Sequence, residues 1–206
     1  MNIVIDKKII GWRIGASTES EQAKISDSNS PKRPTELKCD IHRAKIAGED
    51  WTILIGLLSG RPYEVIGGLS SNIEIPKNYK DGILIKHNNK KNSNARYDLK
   101  FGNDDTEGNI INDVVSVFDN PNNGTLTRMV SMCLRHGIPI QFISEQLRKD
   151  KYSDMFSFSS VISRVLKKYI ADGTGGGGKC DECRSSNLIY TGGCPVCQDC
   201  GYSKCG

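Results

Sequence analysis

Residues 158–169 read FSSVISRVLKKY, and this stretch has the most regular apolar pattern in the chain. Large apolar side chains recur there at the spacing of one helix face; they are Phe158, Val161, Ile162, Val165, Leu166 and Tyr169. Lys167 and Lys168 lie in the last turn, where positive charge is favourable. The stretch therefore predicts a helix whose apolar side must pack against a second layer of structure.

Two further helices are predicted immediately upstream. The first has an apolar stripe that consists of Leu126, Met129, Val130, Cys133 and Leu134. Gly137 followed by Pro139 ends this helix. Cys133 lies on the stripe, so we expect a packed thiol and not a reactive one. The second helix opens at Pro139 and has an apolar side that consists of Phe142, Ile143 and Leu147.

Between residues 37 and 118 the pattern changes to short apolar or alternating runs that are separated by turn residues. The runs are WTILIGLL, YEVIGG, IEIP, GILIKH, YDLKF and VVSVF. Several short strands are the economical interpretation. The sequence therefore predicts an α+β fold, with a small antiparallel, β-rich half followed by three helices that cover one face of the sheet.

These patterns divide the chain into four segments. We expect an N-terminal arm and linker at 1–36, an α+β domain at 37–171, a Gly-rich tether at 172–179 and a cysteine-rich tail at 180–206. The glycine density of DGTGGGG predicts a mobile connection with an r.m.s. span of roughly 15 Å. The apolar start of the arm either has no role or docks on a partner chain.

Composition indicates an ordinary globular protein, because 37% of the 206 residues are hydrophobic and 25% are charged. The sequence contains no run of roughly 20 apolar residues, which a membrane span needs. The first residues also lack the apolar run of a signal peptide. We therefore expect a cytoplasmic protein with no membrane contact. Thiols stay reduced in the cytoplasm, so clustered cysteines there indicate metal binding or redox catalysis more often than structural disulfides.

Six of the eight cysteines lie in the last segment, CDECRSSNLIYTGGCPVCQDCGYSKCG. Cys-x2-Cys pairs about a dozen residues apart are typical of tetrahedral zinc sites, in which zinc takes four ligands. Two assignments stay open. The first uses Cys180, Cys183, Cys194 and Cys197, and it leaves Cys200 and Cys205. The second uses Cys180, Cys183, Cys197 and Cys200, because Cys200-Gly201-Tyr202 also has the form of a ribbon knuckle, and it leaves Cys194 and Cys205. In both, two thiols remain for disulfide exchange.

Charge argues against nucleic acid as the partner. The net charge of +4 is modest, and the tail has Arg184 and Lys204 against three acidic residues. Residues 77–100 contain seven lysines and arginines against Asp81 and Asp98. We expect this segment to be a solvated hairpin face; the alternative is a zinc-ribbon adaptor that binds nucleic acid or protein through this basic segment.

Several motifs, in order, resemble the C-terminal region of adenosylcobalamin-dependent (class II) ribonucleotide reductases. The upstream motifs are KRPTEL, GLLSGRPYEVIGG and IEIPKNYKDGILIK. The downstream motifs are GTLTRMVSMCLRHGIPIQFISEQLRK, FSFSSVISRVLKKYIADGT and GCPVCQDCGYSKCG. The resemblance covers roughly residues 31 to 206.

The resemblance implies a role in turnover. In that family each reduction of a ribonucleotide oxidises a cysteine pair in the catalytic barrel, a C-terminal dithiol reduces that pair, and thioredoxin or a similar donor restores the dithiol. Reductase tails commonly end in two cysteines separated by four residues, the spacing of Cys200 and Cys205. The resemblance therefore favours Cys200 and Cys205 as the redox shuttle, and as zinc ligands Cys180, Cys183, Cys194 and Cys197.

The resemblance also implies what this chain does not carry. The catalytic barrel and the adenosylcobalamin pocket need several hundred further residues, so the cofactor is expected on a partner chain. We therefore expect the small chain of a split ribonucleoside-diphosphate reductase, or a piece of one, that is inactive alone.

Overall fold

The computed structural model describes residues 30–46, 48–88, 95–102, 109–118, 120–149 and 157–203. The predictions for the arm before residue 30, for part of the basic segment and for Cys205 lie outside these residues. The strands are β1 Glu36–Ile46, β2 Glu49–Leu58, β3 Arg61–Leu69, β4 Asp81–His87, β5 Arg96–Phe101, β6 Ile110–Ile111, β7 Leu188–Thr191 and β8 Cys194–Cys197. The helices are α1 Val114–Val117, α2 Pro121–Arg135, α3 Ile140–Leu147 and α4 Phe158–Lys167. The predicted α+β class is confirmed, with the antiparallel sheet first and the helices after it.

The first six strands form one antiparallel sheet in the order β3-β2-β1-β4-β5-β6. Its central strands carry apolar residues on both faces, because successive side chains of a strand point to opposite sides. In β2, for example, Ile53 and Ile55 belong to one core and Leu54 belongs to the other. The sheet therefore lies between two apolar cores.

Helices α2, α3 and α4 build the core on one face of the sheet. The fully apolar side of α4 is buried as predicted, and Phe158 stacks on Trp51 of β2 with ring centroids 5.1 Å apart. Ser163 on the same helix donates to the carbonyl of Ser144, so α3 and α4 are joined inside the core. Burial of this apolar helix face makes the main contribution to the free energy with which the helices pack on the sheet.

Helix α1 closes the second core, and here the sequence prediction was wrong. The run VVSVF was predicted as a strand, but Val114 and Phe118 are the two buried residues, and their spacing of four is that of a helix. The helix contacts both β5 and β3. Phe118 packs so closely on β3 that a Cβ at Gly68 would lie 2.7 Å from its ring.

The structure differs from the sequence prediction in three smaller ways. IEIP forms no strand; it follows a short 3-10 helix at Ser70–Asn72. Strand β1, which the prediction did not include, alternates buried Leu37, Cys39 and Ile41 with polar residues. Met129 was predicted on the apolar stripe of α2, but its side chain is 52% exposed. The buried side chains of α2 therefore cover a narrower face of the helix than its apolar residues do.

A buried ion cluster ties the start of the described chain to the sheet. Glu64 of β3 is 2% exposed, and Arg33 holds it with a forked pair of hydrogen bonds of 2.6 and 2.9 Å. Arg135 at the end of α2 donates to the same carboxylate at 3.1 Å. Gly56 lies opposite Glu64 in the register, where a Cβ would come within 2.7 Å of the Glu64 Cγ. The cluster therefore joins the N-terminal segment, the sheet and α2.

Candidate metal centre

The cysteine-rich segment folds as a small ribbon around four sulfurs. Strands β7 and β8 form an antiparallel hairpin, with Gly192 and Gly193 at its turn, both in the left-handed region of φ. This turn suits a two-residue hairpin, which needs positive φ at both central positions. The hairpin brings the segment that begins at Cys180 beside the segment that begins at Cys197.

Four cysteine sulfurs, those of Cys180, Cys183, Cys197 and Cys200, all lie within 4.8 Å of one another. The Cys180 and Cys200 sulfurs are 3.6 Å apart, as are those of Cys183 and Cys197. Four thiolates placed about 2.3 Å from a zinc ion would lie about 3.8 Å apart, at the corners of a tetrahedron. The donor type and the distances fit, so this cluster could hold a metal ion such as zinc.

The two halves of the cluster have the same main-chain geometry. In the first half, the Cys180 N–H donates to the Ser185 carbonyl, and the Arg184 N–H donates to the Cys180 carbonyl. In the second half, the Cys197 N–H donates to the Tyr202 carbonyl, and the Gly201 N–H donates to the Cys197 carbonyl. Arg184 and Gly201 both have positive φ, 63° and 76°. Cys180–Cys183 and Cys197–Cys200 are therefore two equivalent knuckles.

Main-chain N–H groups donate to sulfurs of the cluster, and each of these hydrogen bonds favours the thiolate. The pKa of the Cys197 thiol is lowered to about 7, chiefly because the Cys200 N–H donates to its sulfur. The Tyr202 N–H likewise lowers the pKa of Cys200, but the adjacent Cys183 thiol and desolvation raise it, to about 12 overall. Thiols this close cannot all ionise without a compensating cation, which a divalent metal ion would supply.

Polar side chains connect the two knuckles outside the sulfur cluster. Asp199 accepts hydrogen bonds from the Ser185 hydroxyl and, at 2.9 Å, from the Asn187 amide. These donors lower the pKa of the Asp199 carboxyl, the Ser185 hydroxyl most strongly. The Gln198 N–H donates to the Asn187 carbonyl at 2.9 Å. The knuckles are thus held at a fixed separation.

The structure differs from the expectation of a mobile tether at 172–179. The Gly176 N–H donates to the Leu188 carbonyl at 2.7 Å, and the Tyr190 N–H donates to the Thr174 carbonyl at 2.7 Å. Gly175 forms an antiparallel bridge with Ile189. The two chains approach closely here, since a Cβ at Gly176 would lie 3.1 Å from the Leu188 Cβ. The glycine-rich segment therefore pairs with the edge of β7 through one bridge and flanking main-chain hydrogen bonds.

The ribbon also packs against the helices. The turn residue Gly193 lies against the end of α4, where an added Cβ would be 2.8 Å from the Lys167 carbonyl oxygen. Burial raises the pKa of the Tyr190 hydroxyl on β7, and Glu145 of α3 contributes to that shift. The ribbon therefore docks at the α3–α4 end of the body.

Gly193→Ala is expected to destabilise this docking more than Gly192→Ala. Both residues have positive φ, so both variants carry a similar backbone strain of about 1 kcal/mol. Only the Gly193 methyl overlaps a main-chain carbonyl, which adds about 1–3 kcal/mol. Urea unfolding of the zinc-loaded proteins checks the difference, and equal losses in the two variants would contradict the docking.

Five of the six tail cysteines lie in the part of the chain that the structure describes. Cys180, Cys183 and Cys197 from the favoured ligand set lie in the cluster with Cys200, which the resemblance had favoured as a shuttle thiol. Cys194 begins β8, outside this cluster, and is disulfide-bonded. Cys205 lies outside the described residues. The sequence signal for the second knuckle is Gly201, because glycine adopts the positive φ after Cys200 without steric cost.

The described part of the basic segment forms the β4–β5 hairpin. Arg96 pairs with Asp98 at 2.9 Å, and Lys86 lies over the Tyr97 ring. The Arg96 and Lys86 side chains therefore contact neighbouring residues of the same hairpin. Among the helices in the described residues, none has the length and apolar character that crossing a membrane requires.

Comparison with known proteins identifies the α+β body. Residues 37–171, more than half of the chain, match the family model described as NrdJ homologue C-terminal domain. No curated protein and no solved structure matches the chain. The sequence motifs had indicated the C-terminal region of a ribonucleotide reductase, and the family match confirms that relation. The chain belongs to the NrdJ homologue C-terminal domain family.

Proposed function

We propose that this chain is the electron-relay part of an adenosylcobalamin-dependent ribonucleotide reductase in the cytoplasm. Membership of the NrdJ homologue C-terminal domain family supports the enzyme class. The observation that carries the relay is the division among the tail cysteines: four sulfurs form a complete donor set, and Cys194 lies outside it in a disulfide. A cysteine that is not needed for a metal can alternate between the disulfide and the thiol, as electron transfer requires.

The proposed zinc ligands are Cys180, Cys183, Cys197 and Cys200. The proposed redox pair is Cys194 and Cys205. This is the second of the two assignments that the spacing left open, and it exchanges the roles of Cys194 and Cys200 relative to the resemblance. The matching hydrogen bonds of the two knuckles support the exchange. In this position zinc would be structural, since all four of its coordination sites are taken by protein ligands.

The redox step transfers two electrons and two protons from the tail to the partner. One thiolate of the Cys194–Cys205 pair attacks a sulfur of the partner's active-site disulfide and forms a mixed disulfide. The second thiolate of the pair attacks that mixed disulfide, which releases the partner dithiol and leaves the tail pair oxidised. A dithiol donor of the thioredoxin class then reduces the tail pair by the same exchange.

The partner in this proposal is the catalytic barrel chain of a ribonucleoside-diphosphate reductase. In this proposal the barrel chain binds adenosylcobalamin and the nucleotide. The ribbon is docked on α3 and α4, so the barrel chain would meet the redox pair at the α3–α4 end of the body. Alone, this chain is expected to reduce no nucleotide.

The test is turnover by the reconstituted enzyme with a Cys194→Ser chain. The pre-reduced barrel should complete about one reduction per site and then stop, since the mutant tail cannot form its disulfide. A wild-type chain should sustain many turnovers with a thioredoxin-type donor. Zinc content measured on the same sample controls for folding of the ribbon. Undiminished steady-state turnover with one zinc bound would refute the relay.

A further inference from the structure

A groove of about 410 Å³ opens between the β2–β3 turn and the α2–α3 turn. Its walls are mainly apolar and include Leu58, Pro62, Leu134, Ile138, Pro139 and Ile140. Ile138 in this lining is 42% exposed. Exposed apolar side chains that are grouped in this way mark binding surfaces more often than isolated ones do.

The described chain begins at the rim of this groove. Pro31 lines it, and the Tyr63 hydroxyl holds the Pro31 carbonyl with a hydrogen bond of 2.6 Å. Two residues later, Arg33 is fixed by its forked contact with buried Glu64. The segment that precedes the described chain is therefore attached at the groove.

The start of the chain offers a matching apolar segment. Residues 3–12, IVIDKKIIGW, contain six large apolar side chains: Ile3, Val4, Ile5, Ile9, Ile10 and Trp12. Residues 13–30 join this segment to Pro31, and most of them are polar or small. A random coil of that length has an r.m.s. span of roughly 23 Å, so the covalent link alone would give the segment a millimolar effective concentration near the groove.

We propose that residues 3–12 of the chain's own N-terminal arm bind in the groove between the β2–β3 and α2–α3 turns. The binding buries Ile138 and the apolar side chains of the arm, and the local tether makes even a weak apolar contact effective. This interaction uses neither the sulfur cluster nor the redox pair, so it stands independently of the proposed function.

The test uses the 206-residue protein labelled with 5-fluorotryptophan. The chain has two tryptophans, so the fluorine NMR spectrum reports Trp12 and Trp51 separately, and a Trp12→Phe variant assigns them. Ile138→Asp places a charge in the groove, and Val115→Asp is the matched control, because Val115 on α1 is 39% exposed. Buried Trp51 reports whether each variant keeps its core.

Ile138→Asp is expected to move the Trp12 resonance to the position of a free peptide of residues 1–14, while Val115→Asp leaves it unchanged. The Trp51 resonance should stay in place in both. A Trp12 resonance that is unaffected by Ile138→Asp would overturn the proposal, as would an equal shift in both variants. A wild-type Trp12 position that changes on dilution would also overturn it, since the occupant would then be a second copy.

Discussion

Replacing Cys200 with serine is expected to abolish tight zinc binding, although the resemblance to the reductase family favoured this residue as a redox thiol. Its sulfur lies 3.6 Å from the Cys180 sulfur in the four-sulfur cluster. Structural zinc sites provide roughly 10–16 kcal/mol, so loss of one of four ligands should weaken binding by about two orders of magnitude or more. Competition with a chromophoric chelator measures that change.

Cys194→Ser is the matched control for this result, because Cys194 lies in the same hairpin and outside the cluster. This variant should retain one zinc per chain with nearly unchanged affinity. Retention of zinc by Cys200→Ser together with its loss in Cys194→Ser would reverse the ligand assignment. It would return Cys200 and Cys205 to the role of the redox pair.

Glu64→Gln is expected to destabilise the body by about 3–5 kcal/mol, which is the usual cost of removing one member of a buried ion cluster. The substitution keeps the side-chain volume but leaves Arg33, whose side chain is 6% exposed, without its charged partner. Arg135 loses the same partner. Urea unfolding followed by circular dichroism measures the free energy of unfolding.

Glu74→Gln removes the same charge from an exposed position and serves as the comparison. Its effect should stay within about 0.5 kcal/mol, as is usual for surface substitutions. A similar small loss in Glu64→Gln would show that the buried cluster contributes little to the free energy of unfolding, and that the N-terminal segment is held by other contacts.

The parts of the fold that could be predicted are those with one dominant periodic pattern. Helix α4 has an unbroken apolar face, and β2 is a continuous apolar run, so both were recognisable. VVSVF was ambiguous because a short apolar run fits either a strand or one turn of helix. Only its packing against β3 and β5 decides the outcome. Strand β1 was missed because its apolar residues alternate with charged ones in a segment without an apolar run.

The sequence predicted a cysteine cluster that could hold a metal ion, but it could not decide which of the six cysteines belong to the cluster. Cys194–Cys197 and Cys197–Cys200 have identical spacing, so spacing cannot choose between them. The choice depends on main-chain turns, in which the residue after each knuckle takes a positive φ. The pairing of the glycine-rich segment with β7 could not be predicted either. A high glycine content indicates a flexible backbone, and it does not show whether a neighbouring strand restricts that backbone.

The pairing of the glycine-rich segment with β7 limits where the chain can be cut into separately folding pieces. A ribbon polypeptide that starts at Lys179 would lose the hydrogen bonds from Gly173 and Gly176 to the edge of β7. Its exposed strand edge could then pair with other chains. Inserting residues between Thr174 and Gly176 should likewise shift the strand register, whereas a free connection would tolerate added length. The glycines are therefore part of the smallest unit that is expected to fold around the four-cysteine cluster.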